Sequence, residues 1–216
     1  MKKVSVLEAF CYDVGMQLNI WIIGTLILSV ISPIFYTKSM LAGKSKPHRV
    51  TRLIVWFAAI AGVLGILGSP NLAGIIFAVI FLARASYLLV MALVFGVGGA
   101  SKLDIVCLAI GVVAVAAFAL TGNGLLAISL GVLADLIGYI PTFVKTWKQP
   151  KSEDPTFFII ESVASLFAVF AIWELRVDII LPIYFVLCSV AVVLLIYRKQ
   201  IVKWLKFANP KLDSPE

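Results

Sequence analysis

Five stretches of the chain contain no Lys, Arg, Asp or Glu: residues 14–37, 53–83, 85–101, 105–134 and 179–197. A helical membrane crossing needs about 20 mostly apolar residues, and in lipid only a helix or a closed barrel satisfies its own backbone N–H and C=O groups. No ten-residue alternation of polar and apolar residues, the mark of a barrel strand, occurs in the sequence, so helices are expected. Composition agrees: 62% of residues are hydrophobic and 13% charged, where a soluble domain holds roughly 45–50% and about 25%. The fold class read from these features is an all-α integral membrane protein.

Charges and helix breakers divide the chain into seven predicted crossings, at 17–36, 51–67, 71–95, 103–121, 124–144, 156–173 and 179–197. Lys38, Lys44, Lys46, Arg49, Arg52, Lys102, Lys145, Lys148, Lys151, Arg198, Lys199, Lys203, Lys206 and Lys211 then fall on one side. Lys2, Lys3 and Arg176 fall on the other. Basic residues collect on the cytoplasmic side of a membrane, so the expected orientation is N-terminus out and C-terminus in, in a cell membrane and most simply a bacterial inner membrane. An odd number of crossings requires that asymmetry.

The same distribution accounts for the net charge of +7. The basic residues lie in short segments between apolar runs and form no single face, so nucleic acid is not an expected partner. Cys11, Cys107 and Cys188 are widely spaced with no CxxC, and imply neither a disulfide framework nor a zinc site. Residues 1–16 carry Glu8 and Asp13 ahead of the first apolar run, unlike a cleaved signal, and are expected to be a retained pre-helix segment.

Two loops repeat. The first crossing ends SPIFYTKSMLAGKSKPHRVTRL at residues 32–53, and the fifth ends with IPTFVKTWKQPKSEDPTFF at residues 140–158. Each has Pro-x-Phe (Pro33 with Phe35, Pro141 with Phe143) and a second proline fourteen residues on, Pro47 and Pro155. Each loop also holds a Lys-Ser dipeptide, Lys44-Ser45 and Lys151-Ser152. The offset between copies is 108 residues and spans four crossings, so both copies face the same way. Parallel repeats related by an axis along the membrane normal are one transporter plan.

On these proline loops the chain resembles the PQ-loop superfamily, which includes the SWEET sugar transporters, cystinosin-like transporters and the KDEL receptor. It looks most like a bacterial branch lacking the glutamine of the Pro-Gln dipeptide, since Ile34 and Thr142 stand in its place. The resemblance implies two parallel three-helix bundles joined by a linker helix, in a 3+1+3 arrangement. The expected divisions are a pre-helix segment 1–16, a first bundle 17–95, a linker 96–122, a second bundle 123–197 and a basic tail 198–216. It also implies that Pro33, Pro141, Pro47 and Pro155 act as hinges for alternating access.

Charges inside crossings mark the candidate site, because an ionised residue at mid-membrane costs at least roughly 2.5 kcal/mol unless it is paired or wet. Asp135 lies about 9 Å deeper than Pro141, Arg84 about 17 Å from the inner end of its crossing, and Glu161 about 9 Å past Pro155, at 1.5 Å per residue. Matching depth suggests that Arg84 and Asp135, with Glu161 in reach, line a polar cavity between the bundles. A buried ion pair that only fixes packing is the competing reading. Trp56 and Asn19 lie within crossings, where each can touch a solute or simply pack. The tail YRKQIVKWLKF, residues 197–207, suits the surface of an anionic leaflet.

No catalytic or metal constellation is visible: there is no HExxH, paired GxGD or GxSG, and His48 is the sole histidine. Residues 179–197 contain no lysine for a retinal Schiff base. The expectation is a non-enzymatic, cofactor-free transporter-like protein whose partners are the lipid bilayer and a small polar solute (sugar, amino acid or organic ion). A homo-oligomer remains open, as does a receptor or accessory role on the same fold.

Overall fold

The computed structural model describes residues 20–45, 47–66, 71–96, 102–150, 153–172 and 177–208. Within them the chain forms seven α-helices and no β-strand: α1 (Ile20–Leu41), α2 (Arg49–Ile66), α3 (Leu72–Phe95), α4 (Lys102–Thr121), α5 (Gly124–Lys148), α6 (Pro155–Ile172) and α7 (Ile180–Ala208), the last preceded by a 3₁₀ turn at Val177–Ile179. Six are long and apolar enough to cross a membrane; α4 contributes a shorter apolar stretch, Leu108–Thr121. The protein is an all-α, multi-pass membrane protein.

Local chemistry sets the helix ends. Gly43, at φ 69°, follows the end of α1, and the backbone N–H groups of Gly43 and Lys44 donate to the carbonyls of Met40 and Ser39, a left-handed glycine stop. Between α4 and α5, Gly122 (φ 64°) ends one helix while the Asn123 side chain accepts from Leu126 N at 3.1 Å and starts the next. The Asn71 side chain caps α3 by accepting from Gly74 N at 3.2 Å. Asp154 caps α6 by accepting from Thr156 N at 2.9 Å, with Pro155 as first helical residue, where its missing N–H is no loss.

Three helices outrun the apolar segments that announce them. α1 continues to Leu41, α5 to Lys148 and α7 to Ala208, against expected ends at 36, 144 and 197. Charged side chains end a hydrophobic run but not a helix, and propagation stops only at a breaker or cap. The tail therefore continues α7 as helix to Ala208; at 29 residues and 1.5 Å per residue, α7 is about 43 Å long, more than the roughly 30 Å hydrocarbon layer. Pro33 lies buried inside α1, and position 141 falls within helical backbone of α5, so neither proline ends its helix.

Packing brings α1 against α3 and α6, α2 against α3, α4 and α5, α5 against α4 and α7, and α6 against α7, with α3 also touching α6. The α2–α5 seam is built of small residues. A Cβ on Gly124 would stand 2.1 Å from the Gly65 carbonyl oxygen, and one on Gly131 would meet Ala61 Cβ at 3.0 Å. Such stripes let backbones approach where water exclusion gives no drive to pair. The α1–α6 seam is aromatic and polar: Trp21 meets Phe167 edge-on at 5.3 Å, Thr25 Oγ1 donates to Ala164 O at 3.2 Å, and Tyr36 stacks near Phe157 at 4.6 Å.

The loops between α1 and α2 and between α5 and α6 meet the far part of α7 at one end of the molecule, around a pocket lined by Ser39, Lys44, Gln149, Glu153 and Lys199 among others. This is the end that carries most of the basic residues. Arg198 fastens it, donating to Leu195 O at 2.8 Å, to Thr146 O at 3.2 Å and to Trp147 O, while lying 4.6 Å over the Trp147 ring. A guanidinium on the last carbonyls of α5 satisfies acceptors the helix leaves open and complements its dipole.

Candidate functional site

Buried charge gathers where α2, α3, α5, α6 and α7 converge. Arg84 on α3 forms an ion pair with Glu161 on α6, their side chains 8% and 4% exposed. Ser32 on α1 reaches the other Glu161 oxygen, its Oγ donating to Oε2 at 3.4 Å. The guanidinium also lies 5.2 Å from the Phe81 ring centre. Three helices thus close on one carboxylate.

Asp135 on α5 is 1% exposed and accepts a hydrogen bond from the Tyr184 hydroxyl of α7 at 2.7 Å through Oδ2. Its Oδ1 has no hydrogen-bond partner. Arg52 and Arg84 both lie within electrostatic reach of the carboxylate. Arg52, in the first turn of α2, stacks 4.8 Å over the buried Tyr36 ring and interacts electrostatically with Tyr139 and Glu153 as well. Glu153 also lines the basic-end pocket, about 940 Å³.

The three charges singled out in the sequence thus belong to one neighbourhood, and packing makes the choice of partners that depth leaves open. Arg84 takes Glu161, and Asp135 takes Tyr184. Rise per residue measures depth and says nothing of which helix face a side chain occupies. Trp56 is tied into helix packing, its Nε1 donating to Ser86 Oγ of α3 at 2.9 Å. Asn19 lies outside the described residues. Pro47 sits just ahead of α2 and Pro155 opens α6.

Sequence reasoning missed Arg52, Ser32, Tyr36, Tyr139 and Tyr184. Arg52 is legible, since it falls inside the second predicted crossing, although its charge also belongs to the basic side. Tyr139 follows Asp135 by one helical turn and shares its face. Nothing in the sequence singles out Tyr184, whose role comes from α7 packing on α5. Among the described residues no three of His, Cys, Asp and Glu gather as a metal site.

Compared with known proteins, the chain matches no family model, no curated protein and no solved structure.

Proposed function

We propose that the protein is transporter-like and moves a small polar solute across the membrane by alternating access of two three-helix bundles, α1–α3 and α5–α7, joined by α4. The observation that carries this reading is the buried charge cluster: Arg84 and Glu161 bridge the two halves, and Asp135 on α5 is tied to Tyr184 on α7. A chain whose only task was to pack in lipid has no use for several desolvated charges, each costly to insert.

The repeat lends support. α3 begins at Leu72 and α7 at Ile180, again 108 residues apart, so the offset set by the prolines extends to the third helix of each copy. Under that offset the α2–α5 contact becomes the α6–α1 contact, and both pairs pack. On this reading the chain is oriented with its N-terminus outside and its basic end in the cytoplasm, most simply of a bacterial inner membrane. Pro33 and Pro141, which leave the carbonyls four residues earlier without a helical donor, are the flexing points, and Pro47 and Pro155 bound the loops beyond them.

A receptor or accessory role is favoured by one observation. Parting a buried ion pair costs about 3–5 kcal/mol when nothing replaces the lost partner, and Arg84–Glu161 spans the surfaces that rocking must separate. Purified protein in liposomes, challenged with sugars, amino acids and organic ions, decides between the two. Saturable flux lost on Asp135→Asn is expected for a transporter; specific binding without flux overturns transport in favour of the receptor role.

A further inference from the structure

Building on the solute site proposed above, we infer that its ligand is a small organic cation whose ammonium group binds the unpartnered oxygen of Asp135. Asp135 stands apart from the local ion pair. Arg84 is matched by Glu161 in direct contact, and Arg52 has Glu153 within electrostatic reach. Arg52 and Arg84 reach Asp135 only at longer range, so among the described residues Asp135 has no cation in direct contact.

Its geometry says the same. Oδ2 is occupied by Tyr184, while Oδ1 is buried with nothing donating to it. A buried acceptor left open is costly, more so when charged, and a cationic donor is the group that relieves it most. Two tyrosines stand at the position, Tyr184 through its hydrogen bond and Tyr139 one turn along α5, and the Tyr184 ring lies 5.1 Å from Phe185. Ring faces attract ammonium groups, most strongly when water is excluded.

The alternatives fit less well. A hard inorganic cation takes six or more oxygen ligands, whereas Asp135 brings one free oxygen beside a tyrosine hydroxyl already committed to it. A sugar needs many hydrogen-bonding side chains, whereas among the described residues Asp135 has a single hydrogen-bonding partner, Tyr184. An anion is repelled by the Asp135 carboxylate.

The test is equilibrium binding to the purified full-length protein in detergent, using butylamine, phenethylamine and tetraethylammonium, with glucose and acetate as controls, at fixed ionic strength. At least one ammonium should bind saturably, and Asp135→Asn should weaken it by at least about tenfold, the loss of one charge-assisted contact. Asp135→Asn should unfold no sooner than the parent, because the amide oxygen still accepts from Tyr184. If that variant fails to fold, protection of Asp135 from dicyclohexylcarbodiimide by the bound ammonium, read by mass spectrometry, replaces it. Absence of ammonium binding, equal binding by Asp135→Asn, or no protection overturns the inference. Flux of glucose or acetate without ammonium binding overturns it while leaving transport standing; ammonium binding without flux does the reverse.

Discussion

Glu161 sits under three demands: the Arg84 guanidinium, the Ser32 hydroxyl and a setting almost free of water. Replacing it with glutamine leaves Arg84 as an uncompensated buried cation, so Glu161→Gln should destabilise the protein by about 3–5 kcal/mol. The double variant Arg84→Met, Glu161→Leu should recover much of that loss, since removing both charges also removes their desolvation cost. Unfolding in mixed micelles of the parent, single and double variants measures both. Tyr184→Phe should cost about 1.5–3 kcal/mol in the same assay, the value of a hydrogen bond to a charged acceptor. Asp135, Arg84 and Glu161 were visible in the sequence because a charge inside an apolar run stands out. Their partners were not, because Asp135 and Glu161 lie on different helices whose rotation about their own axes no linear pattern records.

Helix ends and helix seams carry different kinds of information. The seven helices follow from hydropathy, and their starts from residues whose chemistry is local: Asn71, Asn123, Asp154 and Pro155. The far ends of α1, α5 and α7 did not follow, since amphiphilic turns such as YRKQIVKW remain good helix formers beyond the lipid. The α2–α5 seam depends on glycines that differ sharply in tolerance. Gly124→Ala places a methyl group against the Gly65 backbone oxygen and should cost about 1–3 kcal/mol, as overpacking does. Gly138→Ala meets only Ile54 Cγ2 at 3.5 Å and should be neutral or stabilising by about 0.5–1 kcal/mol through helix propensity. Comparing the two variants by thermal unfolding checks that close approach, and not glycine content, is what the seam requires.

For the molecule as a whole, the parallel repeat makes a claim about sidedness. Single cysteines at Lys44, Gln149 and Asn123, in a chain with Cys11, Cys107 and Cys188 replaced, should divide by face. A membrane-impermeant maleimide should label Asn123 in intact cells, and Lys44 and Gln149 only in inside-out vesicles. Labelling of Lys44 and Gln149 from opposite sides would break the repeat and the transport proposal with it. Four crossings separate the two loops, so one missing crossing is enough to produce that result.

Hydropathy, charge placement and two proline loops determined that the chain is helical, that it crosses the membrane several times and that Asp135, Arg84 and Glu161 need company. Each of these is a property of a segment summed along its own axis, which a sequence states directly. Which carboxylate Arg84 meets, that Arg52, Ser32, Tyr36 and Tyr184 join the cluster, and that one oxygen of Asp135 is left open were decided only by tertiary packing. Those outcomes depend on the relative rotation and spacing of helices up to 129 residues apart in sequence, as Ser32 and Glu161 are, and lipid, being as apolar as most side chains, gives the hydrophobic pattern little power to choose among such arrangements.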